Sequence, residues 1–177
     1  MPVFEKKRKV YSNAEAVDIL HQVSTLYTLT KRPHDYGTGE VYTATEVHTL
    51  KHIADNPGIT VTQLAGDSGR TKGAISQMLK KLESKGLIFR RADPQNDNIA
   101  HLYPTEEGYR LNDVHQQYDS VRFGESMDQV RKVYTNEEID TTFSVLETWL
   151  SVRRQVQKER NKQKREEKHK LSGQNTG

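Results

Sequence analysis

The stretch Thr60–Arg91, TVTQLAGDSGRTKGAISQMLKKLESKGLIFRR, leaves few folds open. Thr60 and Gln63 have capping-box spacing, in which each side chain satisfies a backbone N–H left over at a helix start. Two helical turns follow with Leu64 and Ala65 inward, and Gly66-Asp67-Ser68-Gly69 turns the chain. Thr71 is placed to cap a second helix, and Ala74, Ile75, Met78, Leu79 and Leu82 give that helix its buried side. Gly86 stands where a glycine in left-handed backbone ends a helix. Leu87, Ile88 and Phe89 then start a strand. A helix bearing small polar and basic side chains after a tight turn is shaped to enter a DNA major groove.

Charge supports that reading locally. From Arg70 to Arg91 there are seven Lys or Arg against one acidic residue, Glu83. The whole-chain net charge of +3 says less, because Arg153–Lys170 alone carries nine basic and three acidic residues, so the remainder sums to −3. The local excess is the better footprint of a polyanionic partner. Hydrophobic residues make up 33% of the chain and charged residues 29%, low in apolar content for a lone globule. Long exposed helices, or a core completed by a second copy, account for the shortfall.

Around this stretch the pattern is helical. Residues 1–10 read as a basic arm; Ser12 and Glu15 open a helix with Val17, Leu20, Val23 and Tyr27 in a stripe that Ile19 and Leu26 widen. Lys31–Tyr42, with Pro33, Gly37 and Gly39, reads as a loop. Thr43 and Glu46 cap a helix marked by Val47, Leu50 and Ile53 that stops at Asp55-Asn56-Pro57-Gly58. After Phe89, Asp93–Asn98 turns the strand back and Ile99–Tyr103 completes a hairpin, the wing of a winged helix. Thr105 caps a helix running to about Arg122, and a polar linker follows, with room for one helical turn near Met127–Val133. Thr135 and Glu138 then open a helix whose Ile139, Phe143, Leu146 and Leu150 form a packing seam, with Val145, Trp149 and Val152 beside it. Past Val156 that helix becomes a solvated basic extension that frays before Gly173.

Several classes are excluded. With no cysteine there is neither disulfide nor thiolate metal site. The N-terminus lacks the apolar run of a signal peptide, and no run approaches the roughly 18 residues of a membrane span. The expected setting is cytoplasmic and soluble. There is no glycine-rich cofactor loop, nucleophile motif or paired-carboxylate constellation, so neither a cofactor nor an enzymatic role is expected.

In order and spacing these residues resemble the MarR-type winged-helix regulators, named for multiple antibiotic resistance. The resemblance covers roughly Ser12 to Leu150 and is strongest over Tyr42–Gly108. It is carried by the Thr-capped TATEVHTLKHI helix, by Leu82-Glu83 with Gly86-Leu87 ending the helix-turn-helix, and by Asp93-Pro94 followed by Thr105 and Gly108. It implies a mainly α fold with a small two- or three-stranded β wing, flanked by N- and C-terminal dimerisation helices. Carried over by position, Thr71, Lys72, Gly73, Ser76 and Gln77 would face base edges or adjacent phosphates, with Lys72 suited to guanine and Gln77 to adenine. Arg70, Lys80 and Lys81 would touch phosphates, setting affinity and register rather than sequence. One departure stands out. Where the family wing carries an Asp-x-Arg or Asp-Arg-Arg pattern, this chain has Asn96-Asp97-Asn98. Asp97 would repel phosphates; Asn96 and Asn98 are the remaining minor-groove candidates, and Arg90 and Arg91 at the wing's base are placed for the DNA backbone.

The expected organisation is an arm, dimerisation helix and loop over 1–42, a winged helix-turn-helix over 43–105, C-terminal dimerisation helices over 106–156 and a basic extension over 157–177. The expected partners are double-stranded DNA and a second copy of the chain, with a small-molecule effector at the junction of the two regions where some of the eight Tyr residues would lie. His48 and His52, four apart, are a metal pair by spacing alone, with His21, His101 and His115 elsewhere; without a carboxylate partner in sequence they read as ordinary histidines and no metal is expected. A dimeric repressor on a pseudo-palindromic operator is the leading reading, and a winged-helix module that binds protein instead of DNA is its rival. A fragment of an enzyme that begins with a dimerising winged helix is a distant third.

Overall fold

The computed structural model describes the backbone at residues 4–7, 9–29 and 32–174; the side chains of residues 28, 29, 97, 164, 165 and 167–174 lie outside the description. The elements run α1 (Asn13–Leu29), β1 (His34–Asp35), β2 (Val41–Tyr42), α2 (Ala44–Asp55), β3 (Ile59–Thr60), α3 (Val61–Ser68), α4 (Lys72–Ser84), β4 (Ile88–Asp93), β5 (Asn96–Pro104), α5 (Glu106–Arg131) and α6 (Asn136–Gln174). The architecture is mainly α with a three-stranded antiparallel wing ordered β3-β5-β4, so the winged helix-turn-helix is present. Two compact units divide the chain, Met1–Gln129 and Val130–Gly177. No helix among the described residues is long and apolar enough to cross a membrane.

The core of the first unit is built by α2, α3, α4, the sheet and the start of α5. Val47, Leu50, Ile53, Leu64, Ile75, Leu79, Leu82, Leu87, Leu102 and Leu111 are all essentially inaccessible to solvent. Each such side chain contributes roughly 1.5–3 kcal/mol through burial, which makes this interlocked set the main source of the unit's stability. The capping boxes at Thr43–Glu46 and Thr60–Gln63 are formed in both directions, so α2 and α3 begin where their sequence signals stand. Ser12 and Glu15 exchange bonds in the same way at α1, and Lys9 of the N-terminal arm pairs with Glu15.

One junction holds the recognition region to α5. Gly86, at φ +68, lets α4 end in a reversal in which the Leu87 N–H donates to Leu82 O at 2.9 Å and the Gly86 N–H to Glu83 O at 2.9 Å. The Thr105 hydroxyl donates to Gly86 O at 2.7 Å and accepts from the Gly108 N–H at 3.0 Å, while the Thr105 N–H donates to Leu87 O. Gly108 is packed so closely that a Cβ there would lie 2.0 Å from Leu87 O. The Leu-Glu-x-x-Gly-Leu and Thr-x-x-Gly signals are therefore two halves of one contact.

Five sequence expectations change in detail. Gly66–Ser68 are the last turn of α3, and the turn proper narrows to Gly69, in left-handed backbone, and Arg70. Within Lys31–Tyr42, where a loop is predicted, β1 and β2 pair; Asp35 Oδ1 accepts from the N–H groups of Gly37, Thr38 and Gly39 and nucleates the turn, while Lys31 lies outside the described residues. The wing's turn is Pro94-Gln95 alone, because Asp93 already pairs with Asn96 across a bulge. Ala74 is exposed rather than inward. Helix α5 runs unbroken through Met127 to Arg131 instead of yielding to a linker.

In the second unit, α6 starts at the Thr135–Glu138 capping box and stays helical to Gln174, beyond the predicted fraying point. Its seam residues Phe143 and Leu150, and the neighbouring Val145, Trp149 and Val152, are substantially exposed. Helix α1 of the first unit likewise exposes Val17, Ile19, Val23, Leu26 and Tyr27.

Candidate nucleic-acid interface

Helix α4 is presented by its own packing. Ile75, Leu79 and Leu82 are fully buried at helical spacing, which turns Thr71, Lys72, Gly73, Gln77, Lys80 and Lys81 outward and leaves Ser76 half-buried at the margin. The Thr71 Oγ1 accepts from the Ala74 N–H at 3.2 Å and fixes the first turn. Gly69, with φ +66, ends α3 in left-handed backbone, and the exposed Arg70 follows it just before that first turn. A Cβ on Gly73 would meet nothing within 4 Å. Its smallness therefore answers no demand of the protein's own packing.

The seven cations of Arg70–Arg91 do not form one patch. Arg90 makes a bidentate pair with Glu83, Nε to Oε1 at 2.8 Å and Nη2 to Oε2 at 3.0 Å, tying the wing's base to α4. Lys85 donates to Val41 O at 3.1 Å, stands 3.5 Å from Glu46 and lies 4.2 Å over the Tyr42 ring. Burial pushes the Glu46 carboxyl up, but the Thr43 N–H and hydroxyl together with Lys85 outweigh it and hold the group below the usual carboxylate range. Arg91 lies 5.2 Å over the Tyr103 ring. Arg70, Lys72, Lys80 and Lys81 make no ion pair among the described residues, so the charge available to a partner is concentrated on and just before α4.

The wing is braced by a residue the sequence did not single out. His101 Nδ1 faces Gly58 O at 2.7 Å and its Nε2 faces Asp93 Oδ2 at 2.8 Å. Both partners only accept, so the doubly protonated ring satisfies both. The Asp93 hydrogen bond, then the Gly58 carbonyl, push the His101 imidazole above its ordinary value; the His101 hydrogen bond and the Gln95 N–H hold Asp93 below its own. At the tip, Asn96 Oδ1 accepts from the Asn98 N–H at 3.0 Å, so part of Asn96 is spent on the turn, while Asn98 is exposed. The Asp97 side chain lies outside the described residues. The only sequence signal for His101 was its place in a strand opposite Arg91, which does not reveal the reach to Gly58.

The geometry is that of a helix-turn-helix with a wing, and residues 42–97, which hold all of it but most of β5, match the sequence model of the MarR family. Residues 42–97 are a MarR-family domain. Among curated relatives of this chain, the uncharacterised HTH-type transcriptional regulator YhjH of Bacillus subtilis is 31% identical over 114 residues, 63% of each chain. The chain thus spans somewhat under two thirds of that relative's length. A MarR protein from Peptoclostridium difficile superposes with a TM-score of 0.63 at 18% identity, covering 84% of this chain and 95% of that one. FabT of Streptococcus pneumoniae, solved in complex with DNA, superposes with a TM-score of 0.60 at 22% identity over 81% and 96% of the two chains. At these identities the structures establish the fold.

The histidine pair suggested by spacing is not formed. His52 Nε2 lies 3.4 Å from Asp67 Oδ2 at the α2–α3 contact, whereas His48 packs edge-on against the His115 ring of α5 at 5.0 Å. Around His115 gather Tyr36, 5.1 Å away edge-on, and through it His34 and Tyr118.

Proposed function

We propose that this chain is a dimeric, DNA-binding transcriptional regulator acting as a repressor. The carrying observation is the outer face of α4: a capped, rigidly packed helix whose exposed residues are small, polar or cationic and whose Lys72, Lys80 and Lys81 make no ion pair among the described residues. On this reading Thr71, Lys72, Gly73, Ser76 and Gln77 face base edges and adjacent phosphates, and Arg70, Lys80 and Lys81 hold the phosphate backbone. Gly73 lets the helix approach the groove. Arg91 and Asn98 supply the wing's contacts, with Arg90 and Asn96 in supporting places because each already bonds within the protein. The exposed apolar stripes of α1 and α6 are closed by a second copy, which sets two recognition helices on half-sites about 34 Å apart. A small effector that alters that spacing releases both half-sites together.

A second reading, a winged helix that binds protein, draws on the neutralised Arg90 and the uncharged residues flanking Asp97. Selection of random genomic fragments by the purified chain separates the two. The regulator enriches sequences with inverted half-sites about ten base pairs apart; recovery without any shared sequence favours the protein-binding module.

A further inference from the structure

His48 on α2 and His115 and Asp119 on α5 bring three ligating atoms within 4.8 Å of one another, although the first two are 67 positions apart in the chain. His115 Nε2 and Asp119 Oδ2 stand 3.3 Å apart. Tetrahedral ligands at about 2.1 Å from zinc are separated by roughly 3.4 Å, so this pair already has the span of two metal ligands. His48, exposed on α2, closes the remaining gap by a side-chain rotation.

A second observation points the same way. His115 is 2% exposed, yet its Nδ1 has no hydrogen-bond partner among the described residues. One turn earlier on α5, the buried Asn112 Oδ1 is also without one. A buried polar atom left unsatisfied is costly and calls for an explanation. A cation on His115 Nε2 fixes the ring's proton on Nδ1, the protonation in which a metal-bound imidazole seeks an acceptor, and Asn112 Oδ1, three residues earlier on the same helix, is a buried acceptor still without a donor. An i,i+4 His–Asp ion pair explains the Nε2 contact but leaves both orphans. Lys51, the lysine whose charge acts on His115, is held by Asp55 at 2.6 Å.

The geometry points to a divalent transition-metal site, His48–His115–Asp119, of the zinc or cobalt class, with one coordination position open to water or a small anion. Two imidazoles and one carboxylate exclude the hard cations magnesium and calcium, which take oxygen ligands. The ion bridges α2 of the winged region to α5, and the inference stands whether or not α4 reads DNA.

The test is titration of the chelator-treated full chain with Co2+, followed by the visible ligand-field absorption and then by displacement with Zn2+. The expected result is one equivalent per chain, with binding weakened tenfold or more in both His48→Ala and Asp119→Asn and unchanged in His52→Ala. Both informative positions are exposed, so folding is spared; His115→Ala is not needed. A loss below tenfold in either variant, or an equal loss in His52→Ala, overturns the site.

Discussion

His101 shows at the scale of one residue how the wing is held. Its two ring nitrogens meet a carbonyl and a carboxylate, and only the imidazolium donates to both. Because its folded pKa is raised above 6.5, its contribution is complete below that value and is lost as pH rises through the folded pKa. Asp93, lowered from 3.8, contributes above that value and loses its share as pH falls through its own depressed pKa. The clamp is therefore strongest between those limits. In an NMR titration the His101 ring should titrate above 6.5 in the native chain and at lower pH in Asp93→Asn; identical midpoints would show that the pair is not coupled. Gly73 makes the complementary point. Nothing in the protein crowds a Cβ there, and alanine is the better helix former by roughly 0.5–1 kcal/mol. Gly73→Ala should raise the melting temperature while weakening DNA binding, measured on the same sample. A parallel loss of both would mean that Gly73 serves the fold.

Among the elements, α4 and α5 show which sequence signals carry structural information. The capping boxes were legible because a cap is complete within four residues and depends on nothing distant. Thr71→Ala should cost about 1 kcal/mol in denaturant unfolding, the usual worth of an N-cap. Gly108→Ala should cost several times more, since its Cβ would be driven into Leu87 O at 2.0 Å; a loss no larger than that of Thr71→Ala would mean that α5 shifts at little cost. Where elements depended on turn geometry that composition does not mark, the sequence said less. The β1–β2 pair rests on Asp35 gathering three N–H groups, and the bulge at Ala92–Asp93 shortened a turn that composition made look six residues long. The continuation of α5 past Arg122 runs through Gly124 and polar residues that, by propensity alone, resemble a linker.

For the whole molecule, the legible quantities were apolar pattern and charge, and the two differ in reliability. The apolar stripes read on α1 and α6 lie on helices as expected, and in the single chain much of their surface is exposed. Phe143→Asp should convert a dimer to a folded monomer in sedimentation analysis and reduce DNA affinity with it; a monomeric native chain would contradict the dimer. The charge count overstated the interface, because Lys85 and Arg90 are engaged by Glu46 and Glu83, partners invisible in a tally by position. Histidine spacing was uninformative for a related reason: the neighbour in sequence, His52, turned to Asp67, and the ring against His48 came from α5. What remains at α4 is a short list of contacts, and salt dependence counts them. Fluorescence anisotropy on a selected operator and on scrambled DNA, between about 50 and 200 mM salt, tests the central claim. Binding should fall steeply with salt, Lys80→Ala should weaken both DNAs alike and flatten the slope, and the Lys72→Ala, Gln77→Ala double variant should lose the operator's advantage over scrambled sequence. No binding at low salt, or equal losses on both DNAs for every variant, would contradict the account.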